Sequence, residues 1–241
     1  MRDRLMLLSG WAFGLAALEP LAELLRERGP HLQVDIVSLP TLDDPDAWLD
    51  ELDARLPVDS WLAGWSLGGM LATQLAARRG DACNGLITLC SNPCFRSRDD
   101  WPAAMPAEVF EAFHAAFRLG PEETRKRFSL LASRGGFDAR TLARQLEVSR
   151  LECPVAALDA GLQLLAALDG REALRRFVGP QLHLFAGNDA LVPAAAAQAL
   201  LDWLPDVEVY VIENASHALP LERAEDIATA MLAFMQRGEE D

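Results

Sequence analysis

Gly64-Trp65-Ser66-Leu67-Gly68-Gly69 is the stretch that decides the fold. A strand-like run, residues 59–63, precedes it, and a helical run, residues 70–79, follows it. A G-x-S-x-G sequence between a strand and a helix is typical of a sharp turn that exposes the serine hydroxyl. Glycine suits positions 64 and 68, because side chains there would crowd such a turn. We therefore predict that Ser66 is a nucleophile; the alternative is a chance run of small residues in a turn.

Two backbone N–H groups are candidates for holding an oxyanion near Ser66. Leu67 follows the serine at the start of the helix, where the helix dipole favours negative charge. The second donor is expected in the loop after the first strand, and we assign it to the backbone of Trp11 in the pair Gly10-Trp11. The indole of Trp11 could line a substrate pocket or belong to the core, and the sequence leaves both open.

Short apolar runs alternate with helical segments along most of the chain. We predict six strands, at residues 5–8, 34–37, 59–63, 86–90, 182–186 and 207–212. Helical spacing between them, at residues 15–28, 48–56 and 192–204 for example, implies an α/β fold with a mostly parallel sheet covered on both faces.

Residues 98–178 break this alternation, because they contain no strand-like run. Helical periodicity predicts four helices and a shorter fifth, at residues 107–119, 121–133, 139–148, 156–167 and 171–177. We interpret residues 98–178 as a helical cap, or lid, inserted into a core made of residues 1–97 and 179–241. A final helix is predicted from about residue 222 to residue 235.

Ser66, Asp189 and His217 each follow a predicted strand, and such loops meet at one edge of a parallel sheet. A serine hydroxyl becomes a good nucleophile when an imidazole takes its proton and a carboxylate orients the imidazole. The chain order serine, aspartate, histidine is the one this arrangement predicts. The alternatives are a purely structural His217, and an Asp189 that caps the helix after it.

Composition narrows the classes of function. The net charge of −14 argues against binding of nucleic acid by the whole chain. No apolar run approaches the roughly 18 residues of a membrane-spanning helix, and residues 5–8 are too short for a signal peptide. The four cysteines and four histidines lack the spacing of a metal site. We expect a cytoplasmic, metal-free protein without a cofactor, working as a monomer.

Residues 118–150 reverse the charge of the rest of the chain. They carry 8 basic and 4 acidic side chains inside a protein of net charge −14. Such a local excess could mark a docking site for an acidic partner, or it could be a solvated helix face.

The chain resembles the α/β-hydrolase family and, more narrowly, the pimeloyl-[acyl-carrier protein] methyl ester esterases of biotin synthesis. The resemblance rests on four motifs: Leu7-Leu8-Ser9-Gly10-Trp11, Gly64-Trp65-Ser66-Leu67-Gly68-Gly69, Gly187-Asn188-Asp189-Ala190-Leu191-Val192-Pro193 and Ala215-Ser216-His217-Ala218. It implies the α/β-hydrolase fold with its helical cap.

The resemblance also implies binding residues. Substrate contacts carry over to Trp11 and to the cap residues Phe128, Leu131 and Ala132. Arginines of the family's cap bind the acidic carrier protein, and the matching positions here are Arg125, Arg127, Arg140 and Arg144.

Two features depart from the family. Ser9 stands where most members have histidine. Members also usually carry a β-hairpin before the first strand, for which Met1 leaves no room, so we expect a more exposed sheet edge.

The motifs predict a serine hydrolase of carboxylic esters, and the resemblance implies that it demethylates pimeloyl-[acyl-carrier protein] methyl ester. One alternative is a carboxylesterase of broad specificity for short acyl chains. Another is a binding protein that keeps the hydrolase fold without catalysis. Hydrolysis of carbon–carbon bonds uses the same three side chains and stays open.

Overall fold

A six-stranded sheet forms the centre of the protein in a computed structural model that describes residues 3–237. The strands are β1 (Asp3–Leu8), β2 (Leu32–Val37), β3 (Ser60–Trp65), β4 (Cys83–Leu89), β5 (Gln181–Ala186) and β6 (Glu208–Ile212). Their order is β2-β1-β3-β4-β5-β6, and every neighbouring pair is parallel. The predicted α/β-hydrolase fold class is confirmed. The expectation about what precedes the first strand lies outside the described residues.

Burial along the strands follows their position in the sheet. Every residue of β3 and β5 is buried, as expected of strands with helices on both faces. The edge strands β2 and β6 contain half-buried and exposed positions. The carboxyl end of β3, which leads into Ser66, therefore lies deep in the interior.

Eleven α-helices accompany the sheet within the described residues. They are α1 (Glu19–Arg28), α2 (Trp48–Arg55), α3 (Leu67–Arg79), α4 (Ala107–Leu119), α5 (Pro121–Ser133), α6 (Ala139–Val148), α7 (Val155–Ala167), α8 (Arg171–Arg176), α9 (Ala195–Trp203), α10 (Leu219–Glu222) and α11 (Ala224–Arg237). In the part of the chain that the structure describes, no helix has the length and apolar character needed to cross a membrane.

The helices α4 to α8 all lie between β4 and β5 in the chain, where the sequence predicts a cap. The bounds of α4, α5 and α6 coincide with the prediction. α5 packs against both α4 and α6, while α7 and α8 contact α3 of the core. The division into a core and a separate cap stays a prediction.

Five helices begin elsewhere than predicted, and two of them begin earlier: α3 at Leu67 rather than residue 70, and α7 at Val155 rather than residue 156. Residues 15–17 form a 3₁₀ turn, and α1 begins at Glu19 with proline in its first turn. α9 begins at Ala195, because the residues after Asp189 form a tight turn first. The last helix is preceded by the short α10, and the two are separated by the non-helical backbone of Arg223.

An aromatic cluster joins the loop after β1 to helix α5. The ring of Phe13 stacks on Trp65 at 5.2 Å and on Phe128 at 5.5 Å between centroids. Trp11 meets Phe128 edge-on at 4.8 Å. This packing fixes α5 above the turn that carries Ser66.

Candidate active site

Ser66 occupies a strained turn between β3 and α3. Its backbone has φ of 55° and ψ of −120°, a conformation rare for residues with a side chain. A Cβ added at Gly64 would lie 2.3 Å from the backbone of Gly68, and one added at Gly68 would lie 2.3 Å from the carbonyl oxygen of Ser9. The two glycines therefore allow the close approach that the turn requires.

Three donors hold the carbonyl oxygen of Ser66. The N–H groups of Gly69 and Met70 donate to it from the first turn of α3, at 2.9 and 3.2 Å. The hydroxyl of Ser91, just after β4, donates to it at 2.9 Å. These bonds stabilise the strained backbone while the Ser66 hydroxyl makes no hydrogen bond within the described residues.

Asp189 and His217 form a buried pair. Nδ1 of His217 lies 2.7 Å from Oδ2 of Asp189, and both side chains are 0% exposed. The other carboxylate oxygen, Oδ1, accepts the N–H groups of Leu191 at 2.7 Å and Val192 at 2.9 Å. Asp189 therefore orients the imidazole and caps its own turn at the same time.

The opposite edge of the His217 ring is free. Nε2 is buried and has no hydrogen-bond partner among residues 3–237. The carbonyl oxygen of His217 accepts the indole N–H of Trp65 at 2.9 Å, which connects the histidine loop to the residue before Ser66. With Nδ1 facing Asp189, Nε2 is the nitrogen that can accept a proton from a serine hydroxyl.

The two predicted oxyanion donors have no competing acceptors. Neither the N–H of Trp11 nor that of Leu67 is hydrogen-bonded within the described part of the chain. Leu67 is the first residue of α3, and the turn after β1 bends sharply at Ala12, which has φ of 64°. Ser9, which replaces the histidine expected of the family, is buried with its hydroxyl unpaired in the same part of the chain. Both N–H groups are therefore unengaged within residues 3–237, and their role in binding a developing negative charge stays a prediction.

Cys90 lies beside the Asp189–His217 pair. Its sulfur and one ligand atom of each of these two side chains lie within 4.8 Å of one another. Burial raises the pKa of the Cys90 thiol well above its usual value, and the neighbouring charge of Asp189 raises it further. Cys90 is thus a neutral thiol next to the acid. The absence of a metal site stays a prediction.

An apolar cavity of about 350 Å³ borders the loop that carries Asp189. Ala190 and Leu191 line it on that side, and Phe128 and Leu131 of α5 line it on another. The remaining lining residues come mainly from α4 and α7 and are apolar except for Glu108 and Arg127. Such a cavity suits an acyl chain.

Two of the predicted substrate residues do not line this cavity. Trp11 is 1% exposed and donates its indole N–H to the carbonyl of Leu158 at 2.8 Å. Ala132 is 0% exposed, and its carbonyl oxygen accepts the N–H of Ala218 at 3.0 Å. Both are structural in this conformation, and for the Trp11 indole the core alternative is the one the contacts favour.

A surface groove of about 990 Å³ runs between α5 and α6. Apolar residues such as Leu130 and Val148, which are 63% and 87% exposed, are part of its lining. Five exposed basic side chains line it: Lys126, Arg127, Arg134, Arg140 and Arg144. Arg127 and Leu131 line both the groove and the apolar cavity, so the two are neighbours.

The prediction that Arg125 docks the carrier protein is wrong. The Arg125 side chain is 5% exposed, and it donates to the carbonyl of Leu151 at 2.6 Å and to Glu122 at 3.2 Å. Because this guanidinium is engaged inside the protein, it cannot meet a partner at the surface. Arg127, Arg140 and Arg144 are exposed, as docking requires.

Sequence reasoning missed three residues of the site. Ser91 and Cys90 follow β4 at the same sheet edge as the other loops, a position that could have drawn attention to them. Glu222 accepts hydrogen bonds from Ser216, next to His217, and no local pattern indicates this contact.

The amino-acid sequence matches a known family and several named proteins. The profile described as "Alpha/beta hydrolase family" matches residues 5–230. A pimeloyl-[acyl-carrier protein] methyl ester esterase of Aeromonas hydrophila is 37% identical over 89% of this chain and 88% of its own. The biotin biosynthesis bifunctional protein BioHC of Cellvibrio japonicus is 35% identical over 98% of this chain, which spans about half (48%) of that longer protein.

Solved structures share the fold. The esterase EaEST from Exiguobacterium antarcticum superposes with a TM-score of 0.84 at 17% identity, covering 97% of this chain and 92% of its own. With a family profile matching most of its length and relatives at 35% and 37% identity, the chain belongs to the alpha/beta hydrolase family.

Proposed function

We propose that this protein hydrolyses carboxylic esters with Ser66 as nucleophile, His217 as base and Asp189 as its orienting carboxylate. The buried Asp189–His217 hydrogen bond of 2.7 Å is the observation that carries the proposal, together with a serine held in a strained turn that follows another strand of the same parallel sheet. A serine, histidine and aspartate in this arrangement perform acyl transfer. Relatives that cover most of the chain are named as methyl ester esterases.

The chemistry proceeds in two halves. Nε2 of His217 takes the proton of the Ser66 hydroxyl as the oxygen bonds to the ester carbonyl carbon, and the N–H groups of Trp11 and Leu67 stabilise the oxyanion. The protonated imidazole then gives its proton to the leaving alkoxide, which departs as methanol from a methyl ester. Water attacks the acyl-enzyme in the same way, returning the Ser66 hydroxyl and releasing the acid.

For the natural substrate we propose pimeloyl-[acyl-carrier protein] methyl ester, with the carrier on the basic groove between α5 and α6. Lys126, Arg127, Arg134, Arg140 and Arg144 have no salt bridge within the described residues. Glu122 and Glu147, of which Glu147 also lines the groove, both pair with Arg150, so neither forms a salt bridge with these five side chains. An acidic carrier would find complementary charge there. We also expect a monomer that works in the cytoplasm.

The first test measures methanol release from the carrier-bound methyl ester, with p-nitrophenyl acetate and butyrate as small esters. We expect preference for the carrier ester and loss of all turnover in Ser66→Ala. Turnover of the small esters alone would leave a general esterase, and turnover surviving in Ser66→Ala would contradict the proposed nucleophile.

A second set of variants tests the groove. Arg140→Glu with Arg144→Glu should lower kcat/KM for the carrier ester at least about tenfold at low salt and leave p-nitrophenyl butyrate unaffected, since charge complementarity acts on association. Arg4→Glu with Arg176→Glu makes the same change of charge at two exposed positions outside the groove. An equal loss in both double variants would show a general effect of charge and exclude docking in the groove.

A further inference from the structure

The Glu222 carboxylate, at the end of α10, accepts three hydrogen bonds from two different loops. Oε2 accepts the N–H of Ser216 at 2.9 Å and the hydroxyl of Ser216 at 2.8 Å. Oε1 accepts the N–H of Phe137 at 2.7 Å. Ser216 immediately precedes His217, and Phe137 belongs to the loop between α5 and α6, residues 134–138. One carboxylate therefore joins the histidine loop to the α5–α6 loop, whose residues Arg134 and Gly135 line the basic groove.

The backbone around His217 is fixed at three consecutive residues. Glu222 holds the N–H of Ser216, Trp65 holds the carbonyl oxygen of His217, and the carbonyl of Ala132 holds the N–H of Ala218. Only the first of these partners is charged, and hydrogen bonds to a charged acceptor are the stronger kind. Glu222 thus makes the strongest of the three restraints on the main chain that carries the imidazole.

The Glu222 carboxylate packs directly against the α5–α6 loop. A Cβ added at Gly136 would lie 2.9 and 3.0 Å from its two carboxylate oxygens. The adjacent Gly135, with φ of 93°, approaches Asn188 so closely that an added Cβ would lie 2.4 Å from the Asn188 carbonyl oxygen. Asn188 also donates its side-chain amide to the Gly135 carbonyl at 3.1 Å. The α5–α6 loop therefore contacts both the residue before Asp189 and the carboxylate that holds Ser216.

We propose that Glu222 is a positioning residue for the reaction, which acts on His217 through Ser216. Its carboxylate fixes the main chain before His217, and so sets the direction in which Nε2 points. The proposal rests on the proposed function in one respect, the role of His217 as base. Misplacing a catalytic group by about 1 Å can reduce the rate about a hundredfold, so a loss of this restraint should appear in the chemical step.

The variants Glu222→Gln and Ser216→Ala test this role with p-nitrophenyl butyrate and with a serine-directed phosphonate. In Glu222→Gln the amide keeps one acceptor oxygen but turns its NH₂ group toward the donors of one of the two loops. We expect kcat and the rate of phosphonate labelling to fall about tenfold or more, with KM within about twofold. Ser216→Ala removes only the hydroxyl donor and should cost a few-fold in kcat.

Glu225→Gln is the matched control, because Glu225 lies three residues further along, is 80% exposed and contacts Arg28 alone among described ionic partners. Circular dichroism and amide hydrogen exchange of residues 215–219 accompany each assay. Faster exchange in this segment, without global unfolding, is expected in Glu222→Gln. If Glu222→Gln folds and keeps wild-type kcat and labelling rate, the positioning role is wrong. A kcat that falls only in proportion to the unfolded fraction would also contradict the positioning role.

The outcome is separable from that of the proposed function. The small ester and the phosphonate do not involve a carrier, so failure of the carrier ester as substrate leaves this test intact. If the wild type hydrolysed no ester at all, the proposed function would fail, while hydrogen exchange at residues 215–219 would still show whether Glu222 holds the histidine loop.

Discussion

The sequence leaves two roles open for Asp189, orienting the His217 imidazole or capping the segment that follows it, and the Asp189 side chain makes the contacts of both. As a turn-capping residue it holds the N–H groups of Leu191 and Val192 with Oδ1, and as an orienting acid it holds Nδ1 of His217 with Oδ2. The two oxygens separate the roles, so neither excludes the other. Because each oxygen has its own role, replacing a single carboxylate oxygen by an NH₂ group, as in Asp189→Asn, should disturb one role and keep the other.

We predict that Asp189→Asn lowers kcat for p-nitrophenyl butyrate about 10³- to 10⁴-fold without unfolding the protein. The asparagine oxygen would stay with the two N–H donors, which obliges its NH₂ group to face His217. Nδ1 would then have to accept a hydrogen bond, and Nε2 would carry the proton, the wrong tautomer for a base. Steady-state kinetics and the melting temperature measure the two effects. Asp202→Asn, at an exposed position of α9, is the control; near-normal kcat in Asp189→Asn would exclude Asp189 as the orienting acid.

At the scale of elements, local signals predicted helices well where the start of the helix carries them. α5 begins with proline after a glycine, and α6 begins after Asp138, whose side chain accepts the N–H of Thr141 at 3.1 Å. Their predicted bounds coincide with the structure. The start of α9 was misplaced because the Asp189 side chain closes a turn there, and that turn depends on the distant His217 as well as on the local sequence.

The turn between β3 and α3 is the element in which glycine matters most. We predict that Gly68→Ala destabilises the protein by about 3 kcal/mol or prevents folding, because the new Cβ would meet the backbone of Ser9 and Leu8, which cannot move aside as a side chain could. Gly120→Ala is the matched control, since its Cβ would meet nothing within 4 Å, and we expect a change within about 1 kcal/mol. Urea denaturation compares the two; equal stabilities would mean that the close packing of the turn is not what requires glycine.

At the scale of the whole molecule, the chain order of strands and loops predicted that Asp189 and His217 meet, but not which side chains remain accessible. Ser66, Asp189 and His217 were predicted as a set because each follows a strand of one parallel sheet, and their catalytic roles stay a prediction. Arg125 was misassigned because its partner Leu151 lies 26 residues away, and periodicity within α5 carries no information about that contact. Glu222 was missed because it acts through Ser216, on a loop whose path depends on the assembled fold.

His183, at the centre of the fully buried β5, gives the molecule a dependence on pH that is separate from catalysis. Its Nδ1 lies 2.8 Å from the Thr88 hydroxyl on β4, and its Nε2 is buried without a partner among the described residues. Burial lowers the pKa of His183 from 6.5 to about 3. Between these values the unfolded chain binds a proton at this position that the folded protein does not.

Stability should therefore fall as the pH drops below 6.5, by about 1.4 kcal/mol per pH unit from this residue. We predict that His183→Gln is less stable than wild type at pH 7.5 by about 1–3 kcal/mol, because it disturbs the Thr88 contact. Between pH 6.5 and 4.5, however, the free energy of unfolding should fall less in His183→Gln than in wild type. Urea unfolding at four pH values gives the two slopes. His31→Gln, at an exposed position, should keep the wild-type slope. Carboxylates paired with arginine do not confuse this comparison, because they lose their stabilising effect mainly below pH 4.5; the pKa of Asp169, for example, is lowered to about 2. If His183→Gln also kept the wild-type slope, the buried histidine would not be the source of acid sensitivity between pH 6.5 and 4.5.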